Sequence, residues 1–497
     1  MSPFVRHFRN YFSAGLIGSL IGIISFPLLT RSLTVEEYGW IGLVTATLTV
    51  FISVGKLGLS SSVIRYFSEA QAAGERALSD LISNIVGATL VLSALSLGLW
   101  LLYTQFAVPL LKDGEHTVPL FTIAAALLPI GVVFSIATSV LKADQRSARV
   151  SSLTVLDKLG RLALILAVVF TLGATASRIL WVAVVVEITV LCVALYWCRQ
   201  YLVNTRPTLS SPTLRPMVLF GVPLMAKELV GVLLETGDKY IIQGYLGGEA
   251  LGHYSAAVNV TMYLEWVLLL ALDNTIVPQY VKLFEERGRA ATQRFLNAAA
   301  EIYFIVGLGV FAVFGAAAPA LVLLLAGERY APGLVVIPWL TIGLVHFGAL
   351  TITGAGAFVL KRPQPLLAWT CVALVFNFCF NLLTVPIWGL QAAAVVTCLA
   401  SMLQFFGVQW SFRTVFPVAL PWAVMATGAT VGAVIVVITG AIHTAHPFLD
   451  LVARGTVALL SYVAAMLVLS ARTRAWVSVA LKRQAWDDIQ PGESPRG

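Results

Sequence analysis

Residues 225–243 read MAKELVGVLLETGDKYIIQ. The segment is long and apolar enough to cross a bilayer, yet it carries Lys227, Glu228, Glu235, Asp238 and Lys239. On a membrane-insertion scale, the large apolar residues between Met217 and Gly237 contribute about −4 to −5 kcal/mol, whereas Lys227 and Glu228 together cost about +5 to +7 kcal/mol. Such a helix barely inserts alone and needs partner side chains or a water-filled cavity. At about 100° per residue, with Lys227 at zero, Glu228 falls near roughly 100°, Glu235 near 80°, Asp238 near 20° and Lys239 near 120°. The five charges are therefore expected on one arc, facing a polar space, while the rest of the helix faces lipid or packed helices.

The rest of the chain places this segment among many like it. Of 497 residues, 59% are hydrophobic and 11% are charged, against about 25% charged in a soluble domain. Apolar runs of about 20 residues recur almost throughout, the pattern of spanning helices. The expected fold is an all-α polytopic membrane protein with spans near 11–30, 39–60, 80–103, 118–141, 152–172, 178–198, 216–236, 249–277, 295–326, 332–359, 365–385, 390–411, 421–442 and 450–470. That is about fourteen. The first run, from Tyr11 to Leu29, is too long for a signal-peptide core and lacks a small-residue cleavage site, so it reads as a retained span.

Loop charge checks this count. With cytoplasmic termini, the inner segments hold 22 Lys and Arg, and the outer loops hold only Arg31, Lys112, Arg178 and Arg329. Lys and Arg collect in cytoplasmic loops, and a miscounted span would scramble the asymmetry. The same scatter over short loops argues against nucleic acid as the reason for the net charge of +8. Cys192, Cys198, Cys371, Cys379 and Cys398 all lie in apolar runs without a CxxC pair, which points to neither a disulfide framework nor a metal site. His443 and His446 alone make poor metal ligands, and no metal or cofactor is expected.

RSLTVEEYGWIGLVTA (31–46) and GYLGGEALGHYSAAVN (244–259) share Leu33/Leu246, Glu36/Glu249 and Gly39/Gly252 at one offset. Each stretch joins an odd span to an even one, six spans apart, so the copies point the same way. A parallel repeat predicts two six-span lobes with substrate between them. The expected organisation is an N-terminal lobe at 1–198, a cytoplasmic linker at 199–215, a C-terminal lobe at 216–412, two further spans at 413–470 and a cytoplasmic tail at 471–497. Deep ionisable residues in these spans, Lys56, Lys227, Glu228, Glu235 and Glu265, are candidate functional groups by default. Asp157, Lys158 and Arg161 lie near a span end and could snorkel to the interface. Asp238 and Lys239 could form a structural ion pair. Asn377 and Asn381, four residues apart, could bond between helices or line a cavity, and the Gly18–Gly22 GxxxG suits close helix packing.

FPLLTRSLTVEEYGWIGLVTATLTVFISVGKLGLSSSVIRYFSE (26–69) resembles the opening of the bacterial polysaccharide and O-antigen flippases of the multidrug/oligosaccharidyl-lipid/polysaccharide exporter superfamily. The shared elements are Leu-Thr-Arg before a short acidic loop ending in Tyr-Gly, then Gly-Leu, then Ile-Arg. TGDKYIIQGYLGGEALGHYSAA (236–257) is similar to a second family segment through its Asp-Lys pair. The resemblance implies two six-helix lobes around a central cavity and movement of polyprenyl-pyrophosphate-linked oligosaccharide across the bacterial inner membrane by alternating access. It implies Lys56, Lys227, Arg31 and Arg65 as cations for pyrophosphate and sugar, with Glu228, Glu235, Asp238 and Glu265 as cavity acids for an H+ or Na+ coupling ion. Asn377 and Asn381 stay candidates for either cavity lining or bonding between helices, and membrane lipids and polysaccharide-assembly proteins are expected partners. The alternatives are a cation-coupled drug exporter of the same fold, a lipid II flippase, and a membrane glycosyltransferase or polysaccharide polymerase. No GxxxxGK[ST] loop is present, so ATP is not the expected driving force.

Overall fold

The computed structural model describes residues 3–481 apart from 204, 443 and 445; the side chains of 1–9, 11, 12, 265–275 and 477–481 lie outside the description. The expected Glu265 site and His443 are thus outside the described residues. Among the described residues there is no strand. In chain order the helices are α1 (Pro3–Ser32), α2 (Val35–Gly55), α3 (Leu59–Ala73), α4 (Glu75–Phe106), α5 (Gly114–Ala124), α6 (Leu127–Ala143), α7 (Ser147–Thr171) and α8 (Ala176–Leu202). They continue with α9 (Ser211–Tyr245), α10 (Gly248–Leu325), α11 (Ile337–Thr353), α12 (Ala355–Val359), α13 (Gln364–Phe412), α14 (Trp422–Thr439), α15 (Pro447–Leu469) and α16 (Ala471–Leu481). Among the described residues, ten helices are long and apolar enough to cross a membrane, or eleven if the bent pair α5 and α6 is one span.

Two helices, α13 and α10, are long enough for two crossings. The 49 residues of α13 would reach roughly 74 Å at 1.5 Å per residue, against a hydrocarbon core of about 30 Å. The chain reverses at Gly389 (φ 63°, ψ −146°), and the two arms are tied by hydrogen bonds from Asn377 to Thr397 (3.1 Å) and from Gln404 to Thr370 (2.8 Å). The 78-residue α10 has a comparable break at Gly288 (φ 72°, ψ −171°). α7 carries Asp157, Lys158 and Arg161, which keeps it out of the apolar set. These three helices account for much of the distance between ten and the expected fourteen.

The chain divides into two compact units, Met1–Ser255 and Ala256–Gly497. In the first, Trp100 is fully buried among Phe51, Tyr103 and Phe121, and its Nε1 donates to the Phe121 carbonyl at 2.8 Å. The acidic Tyr-Gly loop becomes the start of α2: Thr34 caps it in a capping box with Glu37, satisfying two otherwise orphaned backbone donors. The other Glu37 oxygen accepts from the Ala176 amide at 3.1 Å, docking α2 onto α8. After α8, the polar linker is not loose: Thr208 N donates to Ser83 O (3.1 Å) and Ser210 N to Asn84 Oδ1 (2.5 Å), both on α4. The linker therefore delivers α9 into the first unit, where it packs on α2, α3 and α4.

The repeat-matched glycines have a visible job. A Cβ on Gly39 would meet the Gly248 carbonyl and the Gly252 backbone, and one on Gly252 would meet the Val35 carbonyl. The first turns of α2 and α10 cross at these two glycines, an approach only residues without side chains permit. In the second unit, Phe304, Phe405 and His346 stack edge to face. His346 Nδ1 lies 2.9 Å from the Ile342 carbonyl, so it is a packed, hydrogen-bonded histidine.

Candidate functional site

The site is built where the second expected span breaks. α2 ends at Gly55, Lys56 caps its C-terminus, and the chain turns through Leu57 (φ 44°) and Gly58 (φ 69°) before α3 begins. Positive φ is costly for any residue with a Cβ and natural for glycine. A Cβ on Gly58 would also fall on the backbone of Gly221, and one on Gly221 would sit 2.9 Å from the Gly58 carbonyl. α9 therefore crosses the break backbone to backbone. Ser62 fixes the crossing by donating its hydroxyl to the Met217 carbonyl at 2.6 Å.

That crossing sets the register of the charges. Glu228 follows Gly221 by about two helical turns, on the same face. It reaches back to the break: Lys56 Nζ lies 2.7 Å from Glu228 Oε1, and Ser53 Oγ donates to the same oxygen at 3.0 Å. The lysine side chain is 14% exposed and the glutamate 41%. The pair is thus covered on the lysine side and open on the carboxylate side. Lys227 and Glu235 are exposed on α9, and among the described residues neither makes an ion pair. Ser60 and Ser135 hydroxyls lie 3.0 Å apart beside the break, adding hydroxyls that can accept or donate.

Other expected site residues fall elsewhere. Asp238 is buried and accepts from the Tyr254 hydroxyl, which ties α9 to the start of α10. It lies about three turns beyond Lys227 on nearly the same side of α9, but there Tyr254 covers it, so it does not share the open surface of Lys227 and Glu235. Arg31 ends α1 beside the first turn of α2, so about 30 Å of α2 separates it from Lys56. Arg65 lies on α3, exposed and 3.4 Å from Glu69. In the second unit Asn377 and Asn381 are buried; Asn381 Nδ2 donates to Asn377 Oδ1 at 3.1 Å within the first arm of α13, and Asn377 in turn reaches Thr397 on the second arm.

A second charged cluster was only half visible in the sequence. Arg161 on α7 contacts Asp157 at 2.7 Å and Glu187 on α8 at 2.5 Å, with Lys158 3.8 Å from Asp157. The spacing of Asp157 and Arg161 is a local signal for the first contact. The second depends on how α7 and α8 slide against each other, which no local pattern encodes. These groups are cross-linked within the helix pair instead of reaching separately for the interface.

Comparisons with known proteins agree with this architecture. Residues 5–284 match the family described as polysaccharide biosynthesis protein. The succinoglycan biosynthesis transport protein ExoT of Rhizobium meliloti (strain 1021) is 22% identical over 68% of this chain, and the alignment spans 64% of that relative's length. A putative O-antigen transporter of Shigella flexneri is 22% identical over 80% of this chain and 94% of its own length. Among solved structures, the lipid II flippase MurJ in an inward closed conformation superposes with a TM-score of 0.75 at 11% identity, covering 95% of this chain and 100% of that one. An inward-facing MATE family multidrug transporter gives 0.64 at 16% identity, covering 86% and 96%. The fold is shared with these two solved proteins, and the chain belongs to the polysaccharide biosynthesis protein family.

Proposed function

We propose that the chain flips a polyprenyl-pyrophosphate-linked oligosaccharide from the inner to the outer leaflet of the bacterial inner membrane, supplying cell-surface or exopolysaccharide assembly. The reading includes fourteen spans with both termini cytoplasmic, and two six-span lobes that alternate access to a central polar cavity. One observation carries it: an open carboxylate–ammonium pair that joins Lys56, at the break between α2 and α3, to Glu228 on α9, the least covered of the candidate spans. Only 11% of the most apolar window of α9 is buried, the lowest share among the ten candidate spans. An uncovered helix in a bilayer faces either lipid or water. Exposed Lys227 and Glu235 at membrane depth would each cost about 2.5–3.5 kcal/mol against lipid, so the open stripe favours water.

The chemistry follows from what a sugar pyrophosphate loses on leaving solvent. Its hydroxyls and phosphate oxygens require replacement hydrogen bonds. Lys227 offers an unpaired ammonium, and Lys56 offers one held in reserve by Glu228. An arriving pyrophosphate competes with the carboxylate for Lys56, and the displaced Glu228, with Glu235, can take up H+ or Na+. Binding thus exchanges one ionic partner for another, which couples cargo to an ion without ATP. The relatives named for succinoglycan and O-antigen transport support a surface-polysaccharide cargo.

The test is reconstitution in liposomes with fluorescent lipid-linked oligosaccharide, reading its transfer between leaflets. Wild type transfers it, and Lys227→Ala and Lys56→Ala each slow transfer at least tenfold at unchanged thermal stability. Absence of transfer combined with ion-driven efflux of a cationic dye would identify a drug exporter, and formation of new glycosidic bonds would identify an enzyme.

A further inference from the structure

At the basic edge of the first unit, the last turns of α8 and the first turn of α7 enclose a notch with a cavity volume of about 270 Å³, lined by Arg149, Tyr196, Trp197, Arg199 and Gln200. That is well above the roughly 30 Å³ share of one water. The Arg199 guanidinium lies 4.4 Å from the Tyr196 ring centroid, and that of Arg149 lies 5.9 Å from the Trp197 centroid. Arg149 Nη1 also donates to the Trp197 carbonyl at 3.3 Å.

Three features of this notch point to an anion. It is lined by two guanidiniums, and among the described residues neither forms an ion pair. The neighbouring acid, Asp144, is taken by Arg146 at 2.9 Å, so it does not neutralise them. The Arg199 guanidinium lies over the Tyr196 ring, and Arg149 gives one Nη1 bond to the Trp197 carbonyl, which leaves the other N–H groups of the two guanidiniums for phosphate oxygens. A fourth feature names the source. The notch stands where the apolar run of α8 ends, with exposed Tyr196 and half-buried Trp197 at the level where such rings meet lipid headgroups.

We propose that this notch binds the phosphate of an anionic lipid headgroup, through the guanidinium edges of Arg149 and Arg199. The site is separate from the Lys56–Glu228 pair, and the assignment stands whether or not the transport reading does. It would fasten the α7–α8 pair to the anionic leaflet.

The test is native mass spectrometry of the full chain released from mixed micelles containing phosphatidylglycerol or phosphatidylcholine. The double variant Arg149→Gln/Arg199→Gln is expected to lose its tightest phosphatidylglycerol by on the order of 25-fold, taking about fivefold per basic residue near an anionic surface. Phosphatidylcholine retention stays unchanged. Arg413→Gln removes a guanidinium 4.8 Å from the Trp410 ring and is expected to leave phosphatidylglycerol retention at the wild-type level. Should the double glutamine variant fail to fold, Arg149→Lys/Arg199→Lys keeps the charge and loses only the two-pronged fork, and its phosphatidylglycerol retention is expected to fall below wild type but less far, with phosphatidylcholine unchanged. Wild-type retention in a folded double variant overturns the proposal, as does equal loss in Arg413→Gln, which would mean generic surface charge. Displacement of the lipid by excess inorganic phosphate would reassign the same residues to a soluble phosphate and overturn the lipid assignment.

Discussion

Lys56 stands where a helix stops, and that position decides how its ion pair should respond to mutation. Glu228 is 41% exposed, so the pair gains little stability from Coulomb attraction; about 1 kcal/mol or less is expected. Glu228→Gln should therefore lower thermal stability only slightly. If the pair is part of the transport cycle, the same change releases Lys56 to bind pyrophosphate more tightly and slows its departure. The expected outcome is stronger retention of lipid-linked oligosaccharide with slower leaflet transfer, measured together in liposomes. The double variant Lys56→Ala/Glu228→Ala should transfer no worse than Lys56→Ala alone, because residues acting through one contact do not add. Additive losses would mean that the two side chains work independently.

At the scale of elements, the break between α2 and α3 is the feature most exposed to test. Gly58 combines positive φ with backbone contact to Gly221. Gly58→Ala pays about 1–2 kcal/mol for the left-handed conformation alone, with the clash added. Gly98 lies inside α4 with nothing within 4 Å of an added Cβ, so Gly98→Ala should gain about 0.5–1 kcal/mol. Thermal melts of the two variants should move in opposite directions. The sequence contained part of this: the glycines were there, and so were the repeat partners Gly39 and Gly252. What local pattern did not carry was which glycine faces which. Gly58 against Gly221, like Arg161 against Glu187, is set by the register between separate helices. Hydropathy likewise read residues 39–60 as one span, because a two-residue turn leaves the apolar count unchanged. The charged stripe of α9 was legible in its composition, but its division was not: Asp238 was drawn inward by Tyr254 on another helix.

The whole molecule offers one constraint that local geometry does not: which side of the membrane each loop occupies. The asymmetry of 22 basic residues against Arg31, Lys112, Arg178 and Arg329 is an energetic statement about orientation, since Lys and Arg resist translocation. Orientation matters to the proposed activity because a lipid-linked cargo assembled on the inner leaflet must meet the cavity from that side. Single cysteines placed in a variant lacking the five native ones read it out. Cysteines at Gln145 and Gln364, beside Lys142 and Arg362, should be shielded in intact cells from a membrane-impermeant thiol reagent and react after permeabilisation. Cysteines at Asp113 and Glu328, in the sparsely charged loops, should react at once. Because α13 reverses at Gly389, a cysteine at Trp388 should label with the Asp113 set and one at Arg413 with the Gln145 set. If Trp388 and Arg413 instead labelled on the same side, α13 would not cross twice, the count of fourteen would fail, and the repeat of six spans that places one lobe parallel to the other would lose its topological basis.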